Sequence, residues 1–160
     1  MHKTNLYITL LNLSRNIFFY KKTSLKDNFE TRIYLMFIHF SIFLIIFKKK
    51  GEKFDQKTYD YLFYNIEYNL RESGLGDVAV NKKMKELNKI LYDILLKIEK
   101  KNHDESFDIN YLLISKYFNE LNNEKSDNYR LFSQYFRNFY NFCFANSLEN
   151  MVKNSINFKN

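Results

Sequence analysis

Ionisable side chains that could do chemistry gather at two places in this chain. Arg32 and His39 stand seven residues apart in an otherwise apolar run, so on a helix they share one face with Met36 and Phe43. Arg71-Glu72 and Gly76-Asp77 flank a glycine-rich joint, and Asp27 lies just upstream of Arg32. An imidazole near carboxylates is the raw material of general acid–base catalysis, which makes His39 with Glu72 and Asp77 one reading of the chemistry. The rest of the sequence argues against it. His39 has no nucleophile or second ligand at readable spacing, and the chain carries no phosphate loop, no G-x-S-x-G and no H-E-x-x-H. His2, His39 and His103 are far apart, and Cys143 is the single cysteine. We therefore expect no enzyme activity, no metal or other cofactor, no small-molecule substrate and no intramolecular disulfide. Pairing is the remaining use for the charges. An unpaired charge on a buried stripe costs several kcal/mol, so Arg32 needs a partner, with Asp27, Glu72 and Asp77 as candidates. Such a network either locks helices together, the commoner case, or forms a polar surface that a client touches.

The joint can be read residue by residue. Tyr59, Leu62, Phe63, Ile66 and Leu70 recur at helical spacing before it, and Met84, Leu87, Leu91, Ile94 and Ile98 after it. With Gly74 as the left-handed residue past the helix end, Leu70 and Leu75 take the two positions that touch in a Schellman motif. Glu72 is then a negative charge in a last turn whose dipole disfavours one. Gly76 and Asp77 follow at once, so the joint is more specified than a turn requires. Beyond it, Lys82, Lys83, Lys85 and Lys89 open the next helix. They form either a solvated face or contacts to phosphate, in ribosomal RNA or anionic lipid.

Leu70-Arg71-Glu72-x-Gly74-x-Gly76-Asp77 resembles the signature of the ubiquinol–cytochrome c chaperone family, assembly factors of the cytochrome bc1 complex. Asp27-x-x-x-x-Arg32 leading to Leu35-x-x-x-His39 resembles that family's D-x-x-x-G-R segment and the helix after it. Ser14-Arg15 with Tyr20 is a weaker third element. Order and spacing agree from roughly Tyr7 to Ile98, although Thr31 stands where the family prefers glycine, Ser73 where it has methionine, and no proline precedes Asp27. The tail from Lys100 carries no family motif. The resemblance implies an all-α assembly chaperone that binds newly made cytochrome b or another bc1 subunit. A second assembly factor, a ribosome and an anionic membrane surface are further candidate partners. The competing class is an RNA- or ribosome-binding helical module without a bc1 client, using lysines and interleaved aromatics.

Composition sets the frame for both readings. At 160 residues and 46% hydrophobic, the chain suits one domain with a real core. Proline is absent and glycine occurs three times, which together with long 3.6-residue periodicity points to an all-α fold, a single compact bundle of about six helices. The net charge of +7 rests on 20 lysines and 5 arginines, beside 21 asparagines. That lysine- and asparagine-rich usage also fits an AT-rich genome, so the charge is moderate support for an anionic partner.

Helices are expected over about Asn5 to Phe19, from a cap at Asp27 or Asn28 to the lysines before Gly51, from after Asp55 to Gly74, and over about Lys82 to Lys100, capped by Asn81 or Asp77. A short one follows from an Asp108 cap through Leu121, after the polar linker Lys101 to Ser106. The last, Asn128 to Met151, is aromatic nearly all round. The domain is expected over 1–153, with 154–160 frayed. Ile33 to Phe47 spans about 22 Å as a helix, short of a ~30 Å bilayer core, and is read as a buried central helix. The location expected is the bacterial cytoplasm, soluble or peripheral at the inner membrane, with the mitochondrial matrix side as the alternative.

Overall fold

The computed structural model describes residues 2–101 and 106–160, with side chains from Leu6 onward. These form α1 (His2–Ser14), α2 (Ile17–Lys21), α3 (Phe29–Lys49), α4 (Gln56–Glu72), α5 (Asp77–Lys97), α6 (Tyr111–Tyr117), α7 (Asp127–Phe144) and α8 (Leu148–Ser155). A 3₁₀ turn, Asn119–Leu121, follows α6, and one isolated antiparallel bridge joins Glu99 to Ile109. The all-α expectation holds, with eight α-helices among the described residues in place of about six.

The added helices come from polar residues that capture backbone groups. Asn16 breaks the first helix, because its side-chain oxygen accepts the Phe18 N–H at 3.0 Å and so starts α2 afresh. The last helix breaks after Phe144. Lys50, at the end of α3, reaches the released carbonyls, donating to Phe144 O at 2.7 Å and Asn146 O at 2.8 Å. Beyond the break, Leu148–Ser155 forms α8, and the Phe158 ring packs on Tyr135, Phe139 and Phe142. Asp108 does not cap α6; Asn110 does, accepting from the Leu112 N–H at 3.1 Å. Asp108 instead accepts from Ser133 at 3.1 Å. Part of the linker expected at 101–106 lies outside the described residues.

α3 is the axis of the bundle. It is capped by Asn28, whose side chain accepts from the Thr31 N–H at 2.9 Å, and it ends at Gly51 with φ +78°. Leu35, Phe37, Phe40, Ile42, Phe43 and Ile46 are wholly enclosed, and α1, α5, α7 and α8 pack round it. It is long and apolar enough to cross a membrane, yet a helix apolar on all sides is equally the centre of a protein core, and this one is covered by its neighbours.

His39 belongs to that core and is not part of a surface network. It is 0% exposed. Leu35 O can only accept, so His39 Nδ1–H donates to it at 2.6 Å, which leaves Nε2 to accept the Tyr135 hydroxyl at 2.9 Å. Asn16 in turn hydrogen-bonds the Tyr135 oxygen. A buried polar chain therefore ties the α1–α2 break, α7 and α3 together, among the rings of Phe19, Phe136 and Phe139. Burial pushes the His39 pKa down to about 3, against a smaller opposing effect of the Leu35 hydrogen bond, so the ring is neutral at ordinary pH.

At the α4–α5 joint, Gly74 has φ +97°, and its N–H bonds Arg71 O at 3.0 Å. The Ser73 hydroxyl donates to Leu70 O at 2.6 Å, taking the carbonyl that a Schellman motif would give to the Leu75 N–H. Leu75 is left 41% exposed. α5 begins at Asp77 with Gly76 as its N-cap. Asp77 thus sits in the first turn, where its charge suits the dipole, and the lysines from Lys82 onward lie beyond that turn.

Two outcomes follow. A Cβ on Gly74 meets nothing within 4 Å, so Gly74→Ala should cost ~1 kcal/mol from backbone strain alone, read as a lower melting temperature. For His39 the unfolded chain binds the extra proton between pH 6.5 and about 3. Its contribution to stability is whole above 6.5 and is lost as pH falls, by up to ~1.4 kcal/mol per pH unit. Melting temperature should already drop between about pH 6.5 and 5, before carboxylates titrate, and His39→Gln should abolish that slope.

Candidate functional site

A cleft of about 730 Å³ opens where α1, the start of α3 and the end of α4 meet. The floor is apolar. Ile33 and Met36 from α3 and Ile66 and Leu70 from α4 are buried beneath it, and Leu11 and the exposed Leu75 extend its walls. Amphipathic spacing brings them there: Ile66 and Leu70 are four apart on one face of α4, Ile33 and Met36 three apart on α3. The rim is charged, with Arg15, Arg32 and Lys83 facing Asp27 and Glu30.

One side of the rim is a connected set. Arg32 Nε donates to Asp27 Oδ1 at 2.7 Å. The guanidinium also hydrogen-bonds Tyr20, whose hydroxyl donates to Ser14 O at 2.6 Å. The hydrogen bond from Arg32 holds the Asp27 carboxyl below the usual carboxylate range, aided by the charges of Arg32 and Arg15. Arg15, Asp27 and Arg32 line the mouth, and Ser14 and Tyr20 brace it from behind, all from one stretch of the chain that runs from the end of α1 to the start of α3. Their exposure to solvent keeps the pairs energetically modest, so they position loops more than they stabilise the fold.

The joint forms a second, separate set. Arg71 pairs with Asp77 through a hydrogen bond and with Glu67 at 3.8 Å. Glu72 accepts the Tyr68 hydroxyl one turn back. Among the described residues no hydrogen bond or ion pair joins Arg32 to Glu72 or Asp77. The single network suggested by the sequence is therefore two: Asp27–Arg32 on the cleft and Arg71–Asp77 outside it. Leu70 and Leu75 line the cleft while Gly74 and Gly76 set the turn behind it. The lysines divide as well. Lys83 reaches the rim, 3.8 Å from Glu30 and over the Phe29 ring, whereas Lys82, Lys85 and Lys89 are exposed.

Residues that sequence reasoning passed over complete the cleft. Tyr7 and Asn69 bond across α1 and α4, and Glu30 faces Lys83. Glu30 is an acid in a first helical turn, which local rules explain fully, so nothing marked it as a rim residue. In chemical terms the site lacks a nucleophile beside a base, and among the described residues no group of three His, Cys, Asp or Glu side chains is placed to hold a metal. What it offers is apolar surface inside a ring of mixed charge, the anatomy of a protein-binding patch.

The family model described as ubiquinol–cytochrome C chaperone matches residues 21–137. The chain belongs to that family. The match takes in the Asp27–Arg32 block, the whole α4–α5 joint and most of α7, so it runs well past Ile98, into a tail in which no motif was legible. The Ser14-Arg15 element lies upstream of it. No curated protein and no solved structure matches the chain. Membership in a chaperone family implies a non-enzymatic role in bc1 assembly, exercised by binding a client.

Because the two ionic sets share no partner, Arg32→Gln and Arg71→Gln should act independently. Their effects on unfolding free energy should add within about 0.5 kcal/mol in a double-mutant cycle. A larger coupling would show that the sets are joined.

Proposed function

We propose that this chaperone binds newly made cytochrome b and holds it for insertion into the bc1 complex, taking an apolar helix edge of the client into the cleft. The observation that carries the reading is the apolar floor of Ile33, Met36, Ile66 and Leu70 inside a charged rim, in a chain of this family. An unassembled membrane helix presents apolar side chains and polar sites that lack their partners, and such a patch can cover both. Size limits how it does so. One turn of a helix about 10 Å across fills roughly 420 Å³, so a cleft of about 730 Å³ takes fewer than two turns. The cleft therefore grips side chains along one edge and does not engulf the client, which suits a contact that must be released. On this reading the protein works at the cytoplasmic face of a bacterial inner membrane, where the client is made.

Leu75 is the residue to test, since it lies on the cleft wall and is exposed enough to be replaced without opening the core. Leu75→Glu should leave the melting temperature nearly unchanged and weaken co-purification of cytochrome b about tenfold, the loss of one leucine contact. Unchanged capture would move the client off this cleft. A deletion strain with normal cytochrome b and normal quinol–cytochrome c activity would overturn the client itself.

A further inference from the structure

The outward face of α5 carries a second surface that the client reading does not use. Val78, Lys82, Lys85, Lys89, Tyr92 and Leu96 follow one another at steps of four and three, which places them in one line within an arc of about 80° along the helix. All six side chains are exposed, Val78 85% and Leu96 80%. Acids are kept off this line. Glu86 lies beside it and engages Lys83 at 3.8 Å, and Asp93 is occupied by Lys97 at 2.8 Å and Lys116 at 2.7 Å. Lys82, Lys85 and Lys89 themselves make no ion pair among the described residues, while Lys83 and Lys97 of the same helix do. Like charges three and four residues apart destabilise a helix; Glu86 stands within one turn of Lys82 and Lys89, yet its ion pair is with Lys83, and the three lysines keep their charge exposed.

We propose that this face docks the protein on a lipid bilayer rich in anionic headgroups. The three lysines meet the phosphates, and Val78, Tyr92 and Leu96 enter the interface on either side of them. Charge complementarity selects an anionic partner, and the flanking residues select lipid over nucleic acid. Val78 and Leu96, both largely exposed, gain nothing from a phosphodiester backbone but partition into an acyl boundary, and tyrosine favours the same depth. The line is straight and about 27 Å long on a convex helix, a shape for a flat surface and not for a groove. Lysine acts here as a point charge; no arginine on this line offers the planar fork that reads nucleic acid. Lys83 lies on the other side of α5, at the cleft rim, so docking leaves the cleft free. The inference does not depend on which client the cleft takes.

Flotation of the full chain with phosphatidylcholine vesicles, with and without 30% phosphatidylglycerol, tests it. The protein should float with the anionic vesicles, fail to float with the neutral ones, and be released by 0.5 M salt. K82Q/K85Q/K89Q should lower the partition coefficient about 100-fold while keeping the melting temperature. K82R/K85R/K89R should restore flotation, and Leu96→Asn should weaken it at full charge. Equal flotation of wild type and the triple glutamine variant would overturn the proposal. So would failure of the wild type to float, including the case in which it is retained on a ribosomal RNA fragment through the same lysines.

Discussion

A helix that is apolar on every side has to be surrounded, and α3 is such a helix. The other helices are arranged by that requirement. α1, α5, α7 and α8 cover it, each offering its apolar stripe, and aromatic side chains of α7 meet it at His39 and Phe43. The same requirement makes His39 consequential. A lone imidazole in this environment is tolerated only if both nitrogens are satisfied without charge. Leu35 O and the Tyr135 hydroxyl do that, and Asn16 closes the chain at the α1–α2 break. One buried polar residue thereby ties α3 to α7 and, through Tyr135, to Asn16 at the break that the Asn16 cap creates.

Covering α3 leaves its first turns at the edge of the bundle, and the cleft is a consequence. Near Asn28 the helix emerges between α1 and α4, and Ile33 and Met36, themselves buried, lie at the bottom of the opening. Charged residues gather where the chain enters and leaves this edge. Arg32 organises the entry by binding both the Asp27 carboxylate and Tyr20, and Tyr20 carries that contact back to the end of α1. The Arg71–Asp77 pair closes the α4–α5 turn nearby, holding Leu70 and Leu75 in the wall. Ionic contacts here shape loops round an apolar surface. They do not build a reactive centre.

α5 has two characters because its two sides answer to different surroundings. Val80, Leu87, Leu91 and Ile94 are buried against the bundle. Lys83 is drawn to Glu30 and Glu86 beside the cleft. Lys97 pairs with Asp93, whereas Lys82, Lys85 and Lys89 make no ion pair among the described residues, in a chain where Asp93 and Glu99 each attract a lysine from another element.

Local rules determined a good deal on their own. The all-α class, α3 as the buried centre, its start at Asp27 or Asn28, the start of α4 after Asp55 and the left-handed Gly74 depend on interactions within a few residues or on composition, and a sequence displays those directly. The joint and the Asp27–Arg32 block were also enough to suggest the family. Tertiary structure decided what depends on distant partners. His39 could be read as a surface residue until Tyr135, ninety-six positions away, enclosed it. Lys50 was one of three similar lysines until the carbonyls after α7 arrived to bind it. Arg32 had three plausible carboxylates within reach of the pattern, and the way α3 enters the bundle gave it the nearest in sequence. Periodicity assigns a side chain to a face of its own helix, but the direction that face takes in space is set by the packing of all the others. That packing alone gathered Arg15, Asp27, Arg32, Leu70 and Lys83 round one opening.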